Sequence, residues 1–218
     1  MSELKILIAD DHDLMRRGLK ALVESRPGWT VCDEAHTGRE AVSKAGEKKP
    51  DVVILDISMP ELNGLDAARS IRKASPHTEI LILSVHYSDQ LIRDILDVGA
   101  RGYIMKSDSD RDLIRALEEL SNRRPFFTSK AAEIMLSRFK QTESRSGSKE
   151  KVGERLTPRE REIVQLLSEG RSSKEVATSL GISVKTAETH RANIMRKLEI
   201  HSVSELVRYA IQNQIIEA

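Results

Sequence analysis

Two adjacent carboxylates at Asp10-Asp11, a third at Asp56, a hydroxyl at Ser84 and an ammonium at Lys106 are the groups in this sequence that could do chemistry together. Three carboxylates brought close repel one another, and ionising all of them is unfavourable without a cation. A hard divalent ion relieves this, and Mg2+ takes a few carboxylates while keeping waters. Asp11 and Asp56 are the expected direct ligands, with the backbone carbonyl of Ser58, and Asp10 acts through water. Lys106 supplies a fixed positive charge for phosphoryl oxygens and Ser84 a hydroxyl donor. The set amounts to a phosphoryl-transfer site with Asp56 as carboxylate nucleophile. Taken singly, each signal is bland. Asp10-Asp11 reads as helix capping, Ser84 is uninformative, and a lone lysine is a solvated charge.

What joins these groups is the kind of segment each one ends. Val52-Val53-Ile54-Leu55 is a continuous apolar run between the turn signals Lys49-Pro50 and Met59-Pro60, which predicts a strand buried on both faces with Asp56 just past its end. Leu4 to Ala9 runs into Asp10-Asp11, Ile80 to Leu83 into Ser84, and Gly102 to Met105 into Lys106. Trp29 to Ala35 is a further strand. Helical periodicity falls between them. The first helix is capped by Asp13 and runs through Val23, with Leu14, Leu19, Leu22 and Val23 on one face. The others cover Gly38 to Glu47, Gly64 or Leu65 to Lys73, Asp89 to Val98, and Asp110 to Leu120. Five strands alternating with five helices predict a doubly wound parallel (βα)5 sheet. All strands then end on one edge, where such folds bind ligands.

Composition sets the frame. The net charge of +1 hides an asymmetry: residues 1–121 hold 17 basic against 22 acidic side chains, residues 122–153 hold 8 against 3, and residues 154–218 hold 10 against 9. This predicts an acidic module, a basic connector and a third module. No apolar run reaches membrane-spanning length and the N-terminus lacks a signal-peptide pattern, so a cytoplasmic protein is expected, with no membrane partner. Cys32 is expected to be a small buried hydrophobe. His12 and His86 flank the acidic site as surface or outer groups, since the six histidines lack zinc-ligand spacing.

Asp10-Asp11, Asp56-Ile57-Ser58-Met59-Pro60 with Asn63-Gly64, Ser84, and Tyr103 three before Lys106 closely resemble the receiver domain of two-component response regulators. The resemblance covers about the first 121 residues. It implies that a histidine kinase donates a phosphoryl group to Asp56 with Mg2+ required. It also implies a switch in which Ser84 moves onto the phosphoryl group and Tyr103 turns inward. Ser107 stands where relatives carry proline, so no cis peptide is expected there. On its own, Tyr103 reads as a half-buried sheet aromatic.

Past this module, residues 122–153 read as a linker with a helix near 129–139. Gln141 to Gly153 has almost nothing apolar and predicts a flexible stretch. From 154 to 218 a four-helix, all-α domain is expected. Thr157-Pro158-Arg159-Glu160 is a capping box with Pro at the first helical position. Ser172-Ser173-Lys174-Glu175 repeats the capping pattern, Ser183 starts a third helix to about Leu198, and Ser202 caps a fourth. Leu180-Gly181-Ile182-Ser183 makes the turn of a helix-turn-helix. On a wheel Val184, Ala187, Ile194 and Leu198 face inward, while Lys185, Thr189, Ala192, Asn193 and Arg196 face outward.

Leu156-Thr157-Pro158-Arg159-Glu160-Arg161-Glu162, Lys174-Glu175-Val176-Ala177 and Thr186 through Leu198 resemble the DNA-binding domain of the LuxR, NarL and FixJ regulators. The resemblance implies that the third helix enters the major groove of promoter DNA. Glu188, Thr189 and Ala192 would face bases, and Lys185, Arg196 and Lys197 would meet phosphates. Arg191 would pack its stem and reach a phosphate with its head. Ser173, Lys174, Thr186 and His190 complete the expected DNA-binding set. The last helix, from Ser202, would pair two such domains, giving a homodimer on DNA. The leading reading is a phosphorylation-controlled transcription regulator, not an enzyme beyond slow autodephosphorylation. Its alternatives are an Mg2+-dependent phosphohydrolase with an aspartyl-phosphate intermediate, and a DNA-binding protein whose receiver is only structural.

Overall fold

The computed structural model describes residues 3–85, 87–108, 110–128, 131–132 and 156–216. The chain folds as two compact units. In the first, strands β1 (Leu4–Ala9), β2 (Trp29–Ala35), β3 (Val52–Asp56), β4 (Glu79–Ser84), β5 (Gly102–Met105) and β6 (Phe126–Phe127) form one sheet. Its order is β2-β1-β3-β4-β5-β6, and every pair is parallel. Helices α1 (Asp13–Glu24), α2 (Gly38–Lys48), α3 (Gly64–Ala74), α4 (Asp89–Asp97) and α5 (Asp110–Ser121) follow strands one to five in turn.

Alternation along the strands divides the core. Ile6 and Ile8 of β1, Val52 and Ile54 of β3, and Leu81 and Leu83 of β4 pack with Leu19 and Val23 of α1 and Leu113, Leu117 and Leu120 of α5. The residues between them, among them Leu7, Val53, Leu55 and Ile82, are also fully buried. β3 is therefore apolar on both faces, as its unbroken sequence predicts.

Two local expectations are corrected. The sheet has six strands, not five: after α5 the chain turns through Arg123 in the left-handed region, and the Phe126 N–H donates to the Arg101 carbonyl at 2.9 Å. Phe126 and Phe127 then pair with Gly102 and Tyr103, while the Arg115 guanidinium lies 5.8 Å from the Phe126 ring centre. Two residues carry no periodicity, so the strand was illegible within a stretch read as linker. Asp13 is also not the cap of α1. His12 holds that position without a side-chain bond, Asp13 is the first helical residue, and its carboxylate takes the Arg16 guanidinium. Leu14, expected on the inward face, is 85 % exposed, and the helix buries Arg16, Leu19 and Val23.

The second unit contains α6 (Pro158–Ser168), α7 (Ser173–Leu180), α8 (Val184–Lys197) and α9 (Val203–Gln212). Ile163, Val164, Leu166 and Leu167 of α6 form its core with Val176, Ala177, Ala187, Ile194, Leu206 and Ala210. Thr157 and Ser172 make full capping boxes with Glu160 and Glu175. Gly181 ends α7 at φ 62°, a left-handed conformation that glycine adopts without strain, and Ser183 caps α8 two residues later. That tight reversal is the helix-turn-helix. Ala187 and Ile194 are buried as the wheel requires, but Val184, in the first turn, is 42 % exposed and does not join the core. The expected connector helix and flexible stretch lie outside the described residues, apart from Ala131 and Ala132, which are helical.

Candidate functional site

The strand order reverses between β1 and β3, so a crevice opens beyond their carboxyl ends. Asp10 and Asp11 follow β1 there, Asp56 is the last residue of β3, Ser84 the last of β4, and Lys106 follows β5. The convergence inferred from scattered positions is real. Lys106 Nζ stands 2.9 Å from Asp10 Oδ2 and 3.0 Å from Asp56 Oδ2, so one ammonium bridges two buried carboxylates. The other oxygens are held by backbone: Asp10 Oδ1 accepts the His12 N–H at 2.8 Å and Asp56 Oδ1 the Ile57 N–H at 2.9 Å. The Lys106 N–H donates to the Ser84 carbonyl at 2.8 Å, locking the ends of β4 and β5 together.

Burial pushes the Asp56 carboxyl up to about 6, the neighbouring Asp10 charge adds to this, and Lys106 opposes it. Burial works against the Lys106 charge, but the hydrogen bond to Asp10 and the fields of Asp56 and Asp10 outweigh it and hold the ammonium above its usual range.

Donor atoms of Asp10, Asp11, His12 and Asp56 all lie within 4.8 Å of one another. Against the three carboxylates stands one ammonium, Lys106, which pairs with Asp10 Oδ2 and Asp56 Oδ2. An oxygen-rich pocket with surplus negative charge suits a hard divalent cation, and these residues fit one. Ser58 is half-buried in the loop after β3. His12 is exposed and flanks the carboxylates as expected, its Nδ1 2.8 Å from Asp11 Oδ1 and 3.3 Å from Asp10 Oδ1. His86 lies outside the described residues. Tyr103 is fully buried, not half-buried, and burial pushes its phenol up to about 12, so it stays a neutral hydroxyl. Among the described residues no peptide is cis, as the serine after Lys106 implied.

Two further residues shape this site: Gly64, named above only as a motif residue and helix start, and Arg16, which was not singled out. Gly64 opens α3 against β3, and a Cβ there would sit 2.0 Å from the Asp56 carbonyl oxygen. Arg16 is buried under the Asp10 backbone. Its signal was present, because Arg16 shares the helical stripe of Leu19 and Val23.

In the second unit, Lys185, Thr186, Glu188, Thr189, Ala192 and Arg196 are exposed on α8, as is Lys174 on α7. His190, Arg191 and Lys197 of α8 and Ser173 of α7 are half-buried. Lys197 is engaged within the unit, its Nζ 2.8 Å from Glu160 Oε2. The Glu160 carboxyl is pushed up by partial burial, but the Lys197 ammonium and the Thr157 N–H hold it below the usual carboxylate range. The first turns of α6, α7 and α9 each carry a glutamate, whereas that of α8 carries no acid. No acid in its first turn therefore offsets the positive end of the α8 dipole.

Residues 6–118 match the family of response regulator receiver domains and residues 154–210 the bacterial regulatory proteins of the luxR family. The response regulator protein VraR of Staphylococcus saprophyticus is 31 % identical over 214 residues, covering 98 % of this chain and 99 % of VraR. VraR of Staphylococcus aureus strain Mu3 is 32 % identical over the same shares. A solved LuxR-family two-component response regulator from Aurantimonas sp. SI85-9A1 is 32 % identical, with a TM-score of 0.60 over 63 % of this chain and 99 % of that one. These likenesses give the phosphohydrolase alternative no support. The chain belongs to the response regulators with a receiver domain and a LuxR-type DNA-binding domain, and it is a phosphorylatable regulator of transcription.

Proposed function

We propose that Asp56 is the residue that accepts the phosphoryl group from a histidine kinase, and that this event governs binding of the α8 face to promoter DNA. The observation that carries the reading is the buried Asp56 carboxylate, 3.0 Å from the Lys106 ammonium and beside Asp10 and Asp11. An Asp56 oxygen attacks phosphorus of the phosphohistidine, the P–N bond breaks, and its electron pair leaves with the imidazole nitrogen. Lys106, held by Asp10 and beside Asp56, would supply its ammonium to the charge on the phosphoryl oxygens. Asp11, Asp56 and the Ser58 carbonyl would hold Mg2+ directly and Asp10 through water. The ion, when bound, would offset the remaining phosphoryl charge.

The new dianion then draws the Ser84 hydroxyl, and the buried Tyr103 ring answers that movement. In the second unit Glu188, Thr189 and Ala192 face bases. Lys185, Arg191, Arg196 and Lys197 face phosphates, with Ser173, Lys174, Thr186 and His190 on the same surface. Lys197 would have to exchange Glu160 for phosphate. The receiver extends over 1–121 and the DNA-binding domain over 154–218, joined by a linker. The protein works in the cytoplasm as a homodimer on DNA, with autodephosphorylation slow and incidental.

Fluorescence anisotropy on promoter fragments, with and without beryllofluoride and Mg2+, tests this in the wild type and Asp56→Ala. Tighter binding with the phosphoryl mimic in the wild type alone is expected. Binding that ignores both the mimic and the substitution would overturn the control by Asp56.

A further inference from the structure

Arg16 is a buried cation with an unusual pair of partners. Its side chain is 5 % exposed, Nη1 donates to the Asp10 carbonyl at 2.8 Å, and Nη2 pairs with the Asp13 carboxylate. Nε faces Glu34 Oε2 on β2 at 3.6 Å, and Glu34 is itself held by Lys20 at 2.9 Å. The two Nη contacts fall on the two ends of one short segment, Asp10–Asp13, and the candidate cation ligand Asp11 lies between them. Asp10 Oδ1 is tied within the same segment to the His12 N–H. A planar guanidinium with its donors in a rigid fork fixes two points at once, which a lysine cannot.

We propose that Arg16 is a positioning residue for the divalent cation: it clamps the Asp10–Asp13 segment so that Asp10 and Asp11 meet the ion together with Asp56. This rests on the reading of the pocket as a cation site. The guanidinium does not touch the ion. Its charge alone would repel a cation, so its geometric and electrostatic effects have opposite signs and can be told apart.

Mn2+ binding to the full chain, followed by the paramagnetic signal of the free ion and by competition with Mg2+, separates the cases. Arg16→Lys keeps the charge and loses the fork, and Arg16→Gln loses both. Residues that orient metal ligands from behind typically change affinity by about 10- to 100-fold when replaced, so both variants are expected to weaken Mn2+ binding by roughly tenfold or more. With acetyl phosphate as donor, the half-saturating Mg2+ concentration should rise for Arg16→Lys while the rate at saturating Mg2+ is retained. Fluorescence of the single tryptophan, Trp29 on β2, reports whether each receiver is folded. If Arg16→Gln does not fold, Arg16→Lys decides. Wild-type affinity in a folded Arg16→Lys, or tighter binding in Arg16→Gln, would overturn the clamp and leave Arg16 as a stability residue or a repelling charge. Absence of Mn2+ binding in the wild type would instead sink the cation reading, and the clamp with it.

Discussion

Lys106 is the residue on which the pocket's electrostatics turn. Asp10 Oδ2 and Asp56 Oδ2 both rely on its ammonium. Breaking a buried ion pair by removing one partner leaves uncompensated charge and costs about 3–5 kcal/mol. Lys106→Gln is therefore expected to lower the unfolding temperature of the receiver markedly in chelator, and to recover more of it on adding Mg2+ than the wild type gains. Equal Mg2+ stabilisation of both proteins, by calorimetry, would show that the ammonium and the cation do not share the same carboxylates. At this scale the sequence was highly legible. Asp10, Asp11, Asp56, Ser84 and Lys106 each end or follow an apolar run, and runs are what burial writes most plainly. Arg16 was harder to see because a charged residue on an apolar stripe reads as a break in the pattern, although here it marks a buried partner.

Between strand and helix, the tightest fit is at Gly64. Its N–H donates to the Ile57 carbonyl at 2.8 Å, and its missing side chain lets α3 begin against the Asp56 backbone. Gly64→Ala places a methyl where backbone already stands, so something must move, at a cost of about 1–3 kcal/mol. The expected result is slower phosphorylation by acetyl phosphate together with a lowered unfolding temperature. An unchanged rate would mean that the loop after β3 yields without disturbing Asp56. In the second unit the tie between α6 and α8 runs through Glu160 and Lys197. Because the folded-state Glu160 carboxyl is held below its usual range, its contribution is present above the ordinary glutamate pKa and is lost as pH falls through the lower, folded value. Hydrogen exchange of the α6 amides should be faster in Glu160→Gln than in the wild type near neutral pH, and the difference should fade in acid, on the low side of the ordinary glutamate range. A difference that persists in acid would assign the effect to packing. Helix starts were legible where a hydroxyl caps them, at Thr157, Ser172, Ser183 and Ser202. They misled at Asp13, whose carboxylate prefers a guanidinium to the backbone.

Over the whole molecule, charge alone predicts an acidic module, a basic connector and a nearly neutral third module, and the described residues hold two separate cores. What composition could not carry was how the backbone leaves the first unit. β6 pairs Phe127 with Tyr103, three residues before the lysine that bridges Asp10 and Asp56. The chain thus departs from a hydrogen-bonded strand and not from the loose end of α5. The last strand of the first unit is thereby seated beside the buried tyrosine, on the strand that leads into Lys106.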